Sequence, residues 1–396
     1  MGLVNVPSNR FATLKHFCDP AAGMQKKNTR AYLGDAKLDT EIGKLLADAG
    51  ITYDEELYRQ LVVNVIKLGR ARPHLADLKL IARALGELRV ADRVFKPYRH
   101  IRKISIFGSA RTAPSHPAFK AAEKFGRMMA ESGYMVITGG GDGIMGAAQK
   151  GAGRERSFGL NIRLPFEQAA NDTIQGDEKL VNFNYFFTRK LNFVKESHAL
   201  ACFPGGFGTM DEAFETLTLV QTGKSKIVPL VFIDVAGGSF WKTFENYLRD
   251  HLLKDKLISA SDFSLFKVTD SLEEAHEEVL RFYSNFHSYR FVGDQLVIRM
   301  QRHLPEKAVE KLEKEFADIC QESTPAAKST ALKEESEHEE DDPAELPRSS
   351  GLLKSCLALP QEINEPEIAH LPRLCVPFDR KQFGRLRELI NFINNY

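Results

Sequence analysis

The order of apolar and polar positions divides this chain into a helical first part and a longer part in which strands and helices alternate. Residues 36–96 place apolar side chains three or four positions apart, for example Leu57, Leu61 and Val65, which is the spacing of one helix face. From residue 101 onward, short apolar runs that end in small residues alternate with amphipathic stretches. This alternation predicts a parallel sheet with helices on both faces.

Five strands are predicted in the alternating part. They are IRKISIFGSA (101–110), YMVITGGG (134–141), SFGLNIRLP (157–165), HALACFPGG (198–206) and KIVPLVFID (226–234). The segment VNFNYFFTRKLNFVKES (181–197) is predicted as one helix with an aromatic beginning, and residues 258–322 as mainly helical. The expected fold class is α/β, a Rossmann-like doubly wound parallel sheet flanked by helices, with an N-terminal helical unit and a C-terminal extension.

Changes in composition set the expected domain limits. They are an irregular arm (1–35), a helical unit (36–99), a Rossmann-like domain (100–290), a helical extension (291–322), an acidic linker (323–350) and a C-terminal segment (351–396). The linker contains KEESEHEEDDP (333–343), which is dense in negative charge, so we predict that it is disordered, with an acidic interaction tail as the alternative. Phe383, Leu386 and Ile390 predict an amphipathic helix that docks on the body or on a partner.

Charge and cysteine content narrow the class of protein. The chain has 54 basic and 53 acidic residues, a formal net charge of +1, so neither nucleic acid nor a membrane surface is expected as a partner. The N-terminus lacks the apolar stretch of a secretory signal, and no apolar run reaches transmembrane length. Five scattered cysteines without a CxxC pair argue against a disulfide framework and a structural zinc site. We therefore expect a cytoplasmic protein with reduced thiols and no bound metal.

The strongest local motif is PGGFGTMDE (204–212), which follows an apolar strand and begins a helix. Its glycines let the backbone approach a ligand closely, and the N-terminus of a helix favours a phosphate. Thr209 is a candidate phosphate ligand, but its hydroxyl suits a helix cap equally well. Glu212, three residues later, has a structural alternative too, as the glutamate of a capping box.

A second glycine-rich motif, TGGGDGIMG (138–146), follows the second predicted strand. Gly141, Gly143 and Gly146 match the GxGxxG fingerprint of dinucleotide-binding proteins. That fingerprint belongs after the first strand of such a domain, and the strand that follows here, GLNIRLP, ends without an acidic residue for a ribose. We therefore reject a nicotinamide dinucleotide as cofactor.

Arg189 and Lys190 form a basic pair on the helix before the PGGFGT strand. Basic pairs on helices usually face solvent. This pair lies in an aromatic and apolar stretch that includes Phe186, Phe187 and Phe193, where a solvent-facing pair is less expected.

Taken together, GGGDGIMGA (139–147), the aromatic stretch with Arg189-Lys190, and PGGFGTMDE (204–212) resemble the Lonely Guy (LOG) family of cytokinin-activating and related nucleotide phosphoribohydrolases. Members have often been labelled lysine decarboxylases. The resemblance covers residues 100–250, and GLNIRLPFEQAAN (159–171) is similar to the longer bacterial branch of the family. It implies hydrolysis of the N-glycosidic bond of nucleoside 5′-monophosphates to free base and ribose 5-phosphate, without a cofactor.

The resemblance also implies roles for individual residues. Arg189 and Glu212 would form the catalytic pair, in which a bidentate contact from the arginine keeps the carboxylate ionised beside the oxocarbenium-like C1′. The implied phosphate ligands are Gly205, Gly206, Phe207, Gly208 and Thr209. The implied ribose and base contacts are Gly108, Ser109, Gly140, Gly141, Met145 and Lys190. Family members are commonly dimers or multiples of dimers, so a homodimer or higher homo-oligomer is expected.

Two other functions compete with hydrolysis. A nucleotide sensor or carrier on the same fold would need the glycine-rich loops but not both Arg189 and Glu212, so the presence of this pair favours an enzyme. A decarboxylase that uses pyridoxal phosphate has no recognisable lysine for the cofactor. The preferred base stays open between AMP, cytokinin ribotides and other monophosphates.

Overall fold

A computed structural model of the protein describes residues 30–164, 169–292, 295–320, 354–356 and 366–396. The chain forms two compact units, Met1–Arg83 and Ala84–Tyr396. Most of the expected N-terminal arm and the whole expected acidic linker lie outside the described residues, and their predicted disorder stays a prediction.

The first unit contains helices α1 (Ala36–Asp48) and α2 (Glu55–Ala71) and the beginning of α3 (Leu75–Phe95). Asp35 is the N-cap residue of α1, and its carboxylate accepts hydrogen bonds from the Lys37 and Leu38 amides. Ile42, Leu46 and Val63 form the small core of this unit. The helices predicted from periodicity are confirmed, but Leu57, Leu61 and Val65 are more than half exposed.

A seven-stranded parallel sheet forms the centre of the second unit. Its strands are β1 (Lys103–Phe107), β2 (Met135–Thr138), β3 (Ser157–Ile162), β4 (Leu180–Phe183), β5 (Ala199–Cys202), β6 (Leu230–Ile233) and β7 (Phe266–Thr269). Their order is β4-β3-β2-β1-β5-β6-β7. This is the Rossmann-like α/β fold predicted from the alternation of strands and helices.

Helices cover both faces of this sheet because alternate residues of each strand point to opposite sides. Ile104 and Ile106 pack on one face, with apolar residues of α4 and α5, whereas Phe107 packs on the other, with Phe193. The helices of this unit are α4 (Pro117–Glu131), α5 (Ile144–Ala152), α6 (Phe186–Glu196), α7 (Phe207–Gln221), α8 (Phe240–Tyr247), α9 (Leu272–Phe282), α10 (Glu306–Glu315), α11 (Pro366–Ala369) and α12 (Phe383–Ile393).

The single helix predicted for residues 181–197 is wrong at its beginning. Leu180–Phe183 form the edge strand β4, and α6 begins only at Phe186. The strand pairs with β3 through Gly159 opposite Leu180 and Ile162 opposite Phe183. Its four residues are too short to show an alternating pattern before the aromatic stretch of the helix, so pairing with β3 decides the structure.

The prediction of a mainly helical region 258–322 is also wrong in part. β8 (Phe286–Val292) and β9 (Gln295–Met300) are antiparallel strands, with Val292 opposite Gln295. With β10 (Lys354–Cys356) and β11 (Arg373–Val376) they form a second, four-stranded sheet. The C-terminal amphipathic helix is confirmed as α12, and it docks on this sheet's core.

Two other expectations concern cysteines and membranes. Cys375, on β11, is disulfide-bonded, so the expectation of reduced thiols is wrong for this residue, while Cys202 and Cys320 are free. Among the described residues, no helix is long and apolar enough to cross a membrane.

Helices α4 and α5 pack backbone against backbone, which predicts a strict requirement for glycine. A Cβ atom at Gly126 would lie 2.1 Å from the Ala148 carbonyl oxygen. We expect Gly126→Ala to lower the free energy of unfolding by about 1–3 kcal/mol or more, because backbone atoms must move apart. Gly86→Ala on α3 is the control, since its Cβ would meet nothing within 4 Å. Urea denaturation measures both, and equal stability of the two variants would contradict this packing.

Candidate functional site

Three loops meet at the carboxyl edge of the parallel sheet. β1 lies between β2 and β5, so the segments that follow these three strands are neighbours in space. They are the Gly108-Ser109 turn, the glycine-rich loop 139–143 and the segment 203–206 that leads into α7. The sequence-predicted site residues on these segments are therefore brought to one edge.

The backbone of Ser109 connects the two glycine-rich loops. Its amide donates to the Pro204 carbonyl at 3.2 Å, and its carbonyl accepts from the Ile144 amide at 3.1 Å. Gly143 has a φ of +64°, and a Cβ there would lie 2.3 Å from the Ser109 oxygen. A Cβ at Gly205 would lie 2.2 Å from Thr209 Oγ1 and 3.0 Å from the Ser109 backbone nitrogen. The close approach of the loops therefore requires glycine at both positions.

The beginning of α7 excludes the capping roles considered for Thr209 and Glu212. The N-cap residue is Gly206, and α7 begins at Phe207, so Thr209 is its third residue. Glu212 is the sixth residue and lies beyond the reach of a capping box. Backbone amides in the first turn of a helix have no partner within the helix and form a ready anion site. Positions 206 and 208 have no neighbour within 4 Å of a Cβ, so the space above them is open.

Glu212 is buried beside three other ionisable groups. Its residue is 4% exposed, and Lys190 Nζ lies 3.5 Å from its Oε2. The same ammonium lies 2.9 Å from Asp211 Oδ2 and 2.7 Å from Glu215 Oε2. Lys190 therefore connects α6 to three carboxylates on α7, and its predicted contact with ribose or base stays a prediction.

The pKa values in this cluster follow from burial and charge. Burial raises the pKa of the Glu212 carboxyl to about 7, although the positive charges of Lys190 and Arg189 lower it. Burial lowers the pKa of Lys190, but its hydrogen bonds to Glu215 and Asp211 outweigh this and the net shift is upward. Glu212 therefore exchanges a proton near neutral pH, as a general base does.

Arg189 is placed differently from the expectation. No ion pair joins it to Glu212 in the described part of the chain, so the expected bidentate contact is wrong for this structure. Its guanidinium lies 5.1 Å from the ring centre of Phe186 and 5.7 Å from that of Phe193. Arg189 Nε is buried and has no hydrogen-bond partner among the described residues. The guanidinium lies close to the glycine-rich loop, since a Cβ at Gly139 would lie 4.0 Å from Arg189 Nη1.

The glycine-rich loop is held by a residue that sequence analysis missed. Asn171 is buried, and its side-chain amide donates to the carbonyls of Gly140 at 2.9 Å and Gly141 at 3.0 Å. Met145 is in contact with the loop too, because a Cβ at Gly139 would lie 2.8 Å from its Sδ. Asn171 is 30 residues away in the chain from Gly141, and no local pattern relates the two.

Glu87 positions the beginning of α6 and was also missed. Its carboxylate accepts from the backbone and side-chain amides of Asn184, each at 2.8 Å, and from the Thr188 hydroxyl. Thr188 directly precedes Arg189, so this buried carboxylate orients the turn that carries the basic pair. The helical spacing within residues 36–96 gives no sign of a special role for position 87.

Lys190 holds down the pKa of Glu212, which predicts the effect of removing its charge. In Lys190→Gln, the Glu212 carboxyl should titrate at higher pH than in the wild type, where the midpoint is about 7. The measurement is the pH dependence of the side-chain carboxyl ¹³C shift, assigned with Glu212→Gln. Lys195→Gln, an exposed lysine on the same helix, is the control and should leave the midpoint in place. A midpoint near the usual 4.5 in the wild type would contradict this picture.

Two solved structures are similar to part of this chain at low sequence identity. A molybdenum cofactor binding protein from the phototrophic bacterium Rippkaea orientalis is 20% identical, covers 45% of this chain and 94% of its own, and has a TM-score of 0.32. The molybdenum cofactor carrier protein of Chlamydomonas reinhardtii is 21% identical, covers 46% of this chain and 97% of its own, and has a TM-score of 0.33. Similarity at this level says nothing about function.

Proteins of similar sequence indicate a family more specifically than these solved structures do. A family model described as "Possible lysine decarboxylase" matches residues 145–279, which include Arg189 and Glu212. A probable cytokinin riboside 5′-monophosphate phosphoribohydrolase, LOG4 of Oryza sativa subsp. japonica, is 27% identical over 180 residues, 44% of this chain and 74% of the relative. A second from the same species, LOGL5, is 30% identical over 125 residues, 30% of this chain and 49% of the relative. Through its parallel-sheet domain, the chain is similar to phosphoribohydrolases of the LOG family.

Proposed function

We propose that this protein hydrolyses the N-glycosidic bond of nucleoside 5′-monophosphates, which yields a free base and ribose 5-phosphate. The observation that carries the proposal is the buried Glu212 carboxyl, whose pKa is raised to about 7 at the edge of the sheet where two glycine-rich loops meet. A carboxyl group that exchanges protons near neutral pH suits general-base chemistry.

In the proposed reaction, Glu212 accepts a proton from water while the water oxygen attacks C1′ of the ribose. The C1′–N bond breaks, and its electron pair leaves with the base. The proton on Glu212 then passes to the departing nitrogen, so atoms and charge balance. The ionised carboxylate also stabilises the positive charge that develops on C1′ in the transition state.

Arg189 and Lys190 take separate roles in this proposal. Lys190 holds the Glu212 side chain through its 3.5 Å contact and keeps the pKa of the carboxyl from rising further. Arg189 has a buried Nε without a hydrogen-bond partner in the described part of the chain. It lies beside the glycine-rich loop, so its guanidinium is available for the phosphate or the ribose hydroxyls. An arginine suits this role because its planar group makes paired hydrogen bonds.

The 5′-phosphate is proposed to bind the first turn of α7, at Gly205, Gly206, Phe207, Gly208 and Thr209. Binding energy from the phosphate would position the ribose for attack, although the phosphate itself does not react. Gly108, Ser109, Gly140, Gly141 and Met145 are proposed to line the ribose and base. The rice relatives are described as acting on cytokinin riboside 5′-monophosphates, and AMP is the simplest substrate of this class.

A homodimer or higher homo-oligomer is proposed as the working form. Phe187 and Leu191 on α6 are half exposed, and Phe207 at the start of α7 is 96% exposed. Exposed apolar patches of this kind commonly mark a protein interface. They lie on the two helices that carry the proposed catalytic groups.

Replacing the proposed base tests the function. In Glu212→Gln the side chain keeps its size but cannot accept a proton, so kcat for release of adenine from AMP should fall about 10²–10⁴-fold. AMP should still bind, because the phosphate site is unchanged. Asp211→Asn is the matched control: it removes an exposed carboxylate one residue away that also pairs with Lys190, and its kcat should stay within a few-fold of the wild type.

The assay includes adenosine beside AMP and a melting curve for each variant. Adenosine lacks the 5′-phosphate and should be a poor substrate. A stable Glu212→Gln protein with near-native turnover would refute the catalytic assignment and leave a sensor or carrier as the better account. Arg189→Lys should also lose activity, because an ammonium cannot make a planar, paired contact.

A further inference from the structure

A large cavity lies at the edge of the parallel sheet opposite to the proposed active site. Its volume is about 710 Å³. The lining includes the residues that directly precede three strands: Arg102 before β1, Arg156 before β3 and His198 before β5. Because the strands are parallel, these residues mark the amino-terminal edge, and the cavity is separate from the loops that follow the strands.

The charged side chains that line this cavity are all basic. They are Arg102, Arg156, Lys195 and Lys226, with the imidazoles of His100, His198 and His287. Neither aspartate nor glutamate is among the described residues of the lining. In the described part of the chain, no carboxylate forms an ion pair with Arg102, Arg156 or Lys226. Their charge is therefore uncompensated by acidic neighbours.

Aromatic residues build the walls and fix the geometry. The Arg102 guanidinium lies 4.2 Å from the ring centre of Tyr283. The Tyr283 hydroxyl donates to the His198 carbonyl at 2.7 Å, and the Tyr289 hydroxyl accepts from the Ile227 amide at 3.3 Å. These contacts join the edge of the parallel sheet to the end of α9 through Tyr283 and to β8 of the second sheet through Tyr289.

The basic side chains around the cavity affect the protonation of His198. Burial, and after it the charges of Lys103, Lys226 and Arg102, lower the pKa of its imidazole to about 4. At neutral pH the ring is therefore uncharged. Burial disfavours a charge of either sign, but the contribution of these three basic side chains favours an anion.

We propose that this cavity binds a small molecule that carries two or more phosphate groups, of the size of a nucleoside di- or triphosphate. Cavities of roughly 300–1,000 Å³ hold ligands of this size. Arginine and lysine are the side chains that recognise phosphates, and the tyrosine rings offer apolar surface to an organic part of the ligand. The ligand binds independently of the substrate proposed for the carboxyl edge.

Calorimetric titration of the full chain with inorganic tripolyphosphate tests the proposal. A C-nucleotide analogue of AMP, whose C1′–C bond is not hydrolysed, is kept at saturation so that the site at the carboxyl edge is occupied without turnover. Lys226→Glu and Arg156→Glu should each raise the Kd for tripolyphosphate by about tenfold or more, since one charge-assisted contact is lost and a repulsive charge is introduced. Lys224→Glu is the matched control, because it reverses an exposed charge two residues from Lys226 that does not line the cavity.

The outcomes separate clearly. Weaker binding in the two cavity variants and unchanged binding in Lys224→Glu supports the proposal. Tighter binding of ATP than of tripolyphosphate would add that the nucleoside part contributes; equal affinity would assign recognition to the phosphates. Absence of binding to the wild type at millimolar tripolyphosphate would overturn the proposal, as would equal weakening in Lys224→Glu. Competition by the AMP analogue would overturn it too, because the ligand would then occupy the other edge.

Discussion

The two backbone hydrogen bonds of Ser109 hold the proposed active site together. They connect the end of β1 to Pro204 on one side and to Ile144 on the other. The glycine-rich loop and the PGGFGT segment are thereby fixed relative to each other, which the parallel register of β2, β1 and β5 alone does not achieve. Gly143 and Gly205 are needed because a Cβ at either position would displace this backbone contact. The open first turn of α7 and the buried Glu212 both depend on this arrangement.

The positive charge in the proposed site is divided between two consecutive residues, Arg189 and Lys190. Lys190 contacts the carboxylates of α7, whereas Arg189, one position earlier, lies against aromatic rings near the glycine-rich loop. Consecutive residues on a helix point about 100° apart, so the pair serves two surfaces of the site. One cation sets the proton affinity of Glu212 while the other stays available for a ligand. The carboxyl consequently keeps a raised pKa despite two nearby positive charges, because burial is the larger effect.

Much of this arrangement was predictable from local sequence. Five strands and the C-terminal helix have clear periodicity. The motifs around Gly139 and Gly205 indicate that the backbone approaches a ligand closely. β4 was missed because four residues at a sheet edge show no pattern of their own. The β8–β9 hairpin was missed because the segments before and after it have helical patterns. Asn171, Glu87 and the contact between Lys190 and Glu212 depend on tertiary packing between distant segments. The resemblance placed Arg189 and Glu212 in one site, but only the side-chain geometry shows that lysine rather than arginine pairs with the carboxylate.

The central claim is that the Glu212 carboxylate is the general base of an N-glycosidase. The pH dependence of kcat/KM for release of adenine from AMP tests it most directly, since this quantity reports the pKa of the base in the free enzyme. The base works only when deprotonated, so activity should fall as the pH is lowered, with a midpoint of about 7. A profile that stays flat down to the usual glutamate value of 4.5 would contradict the account.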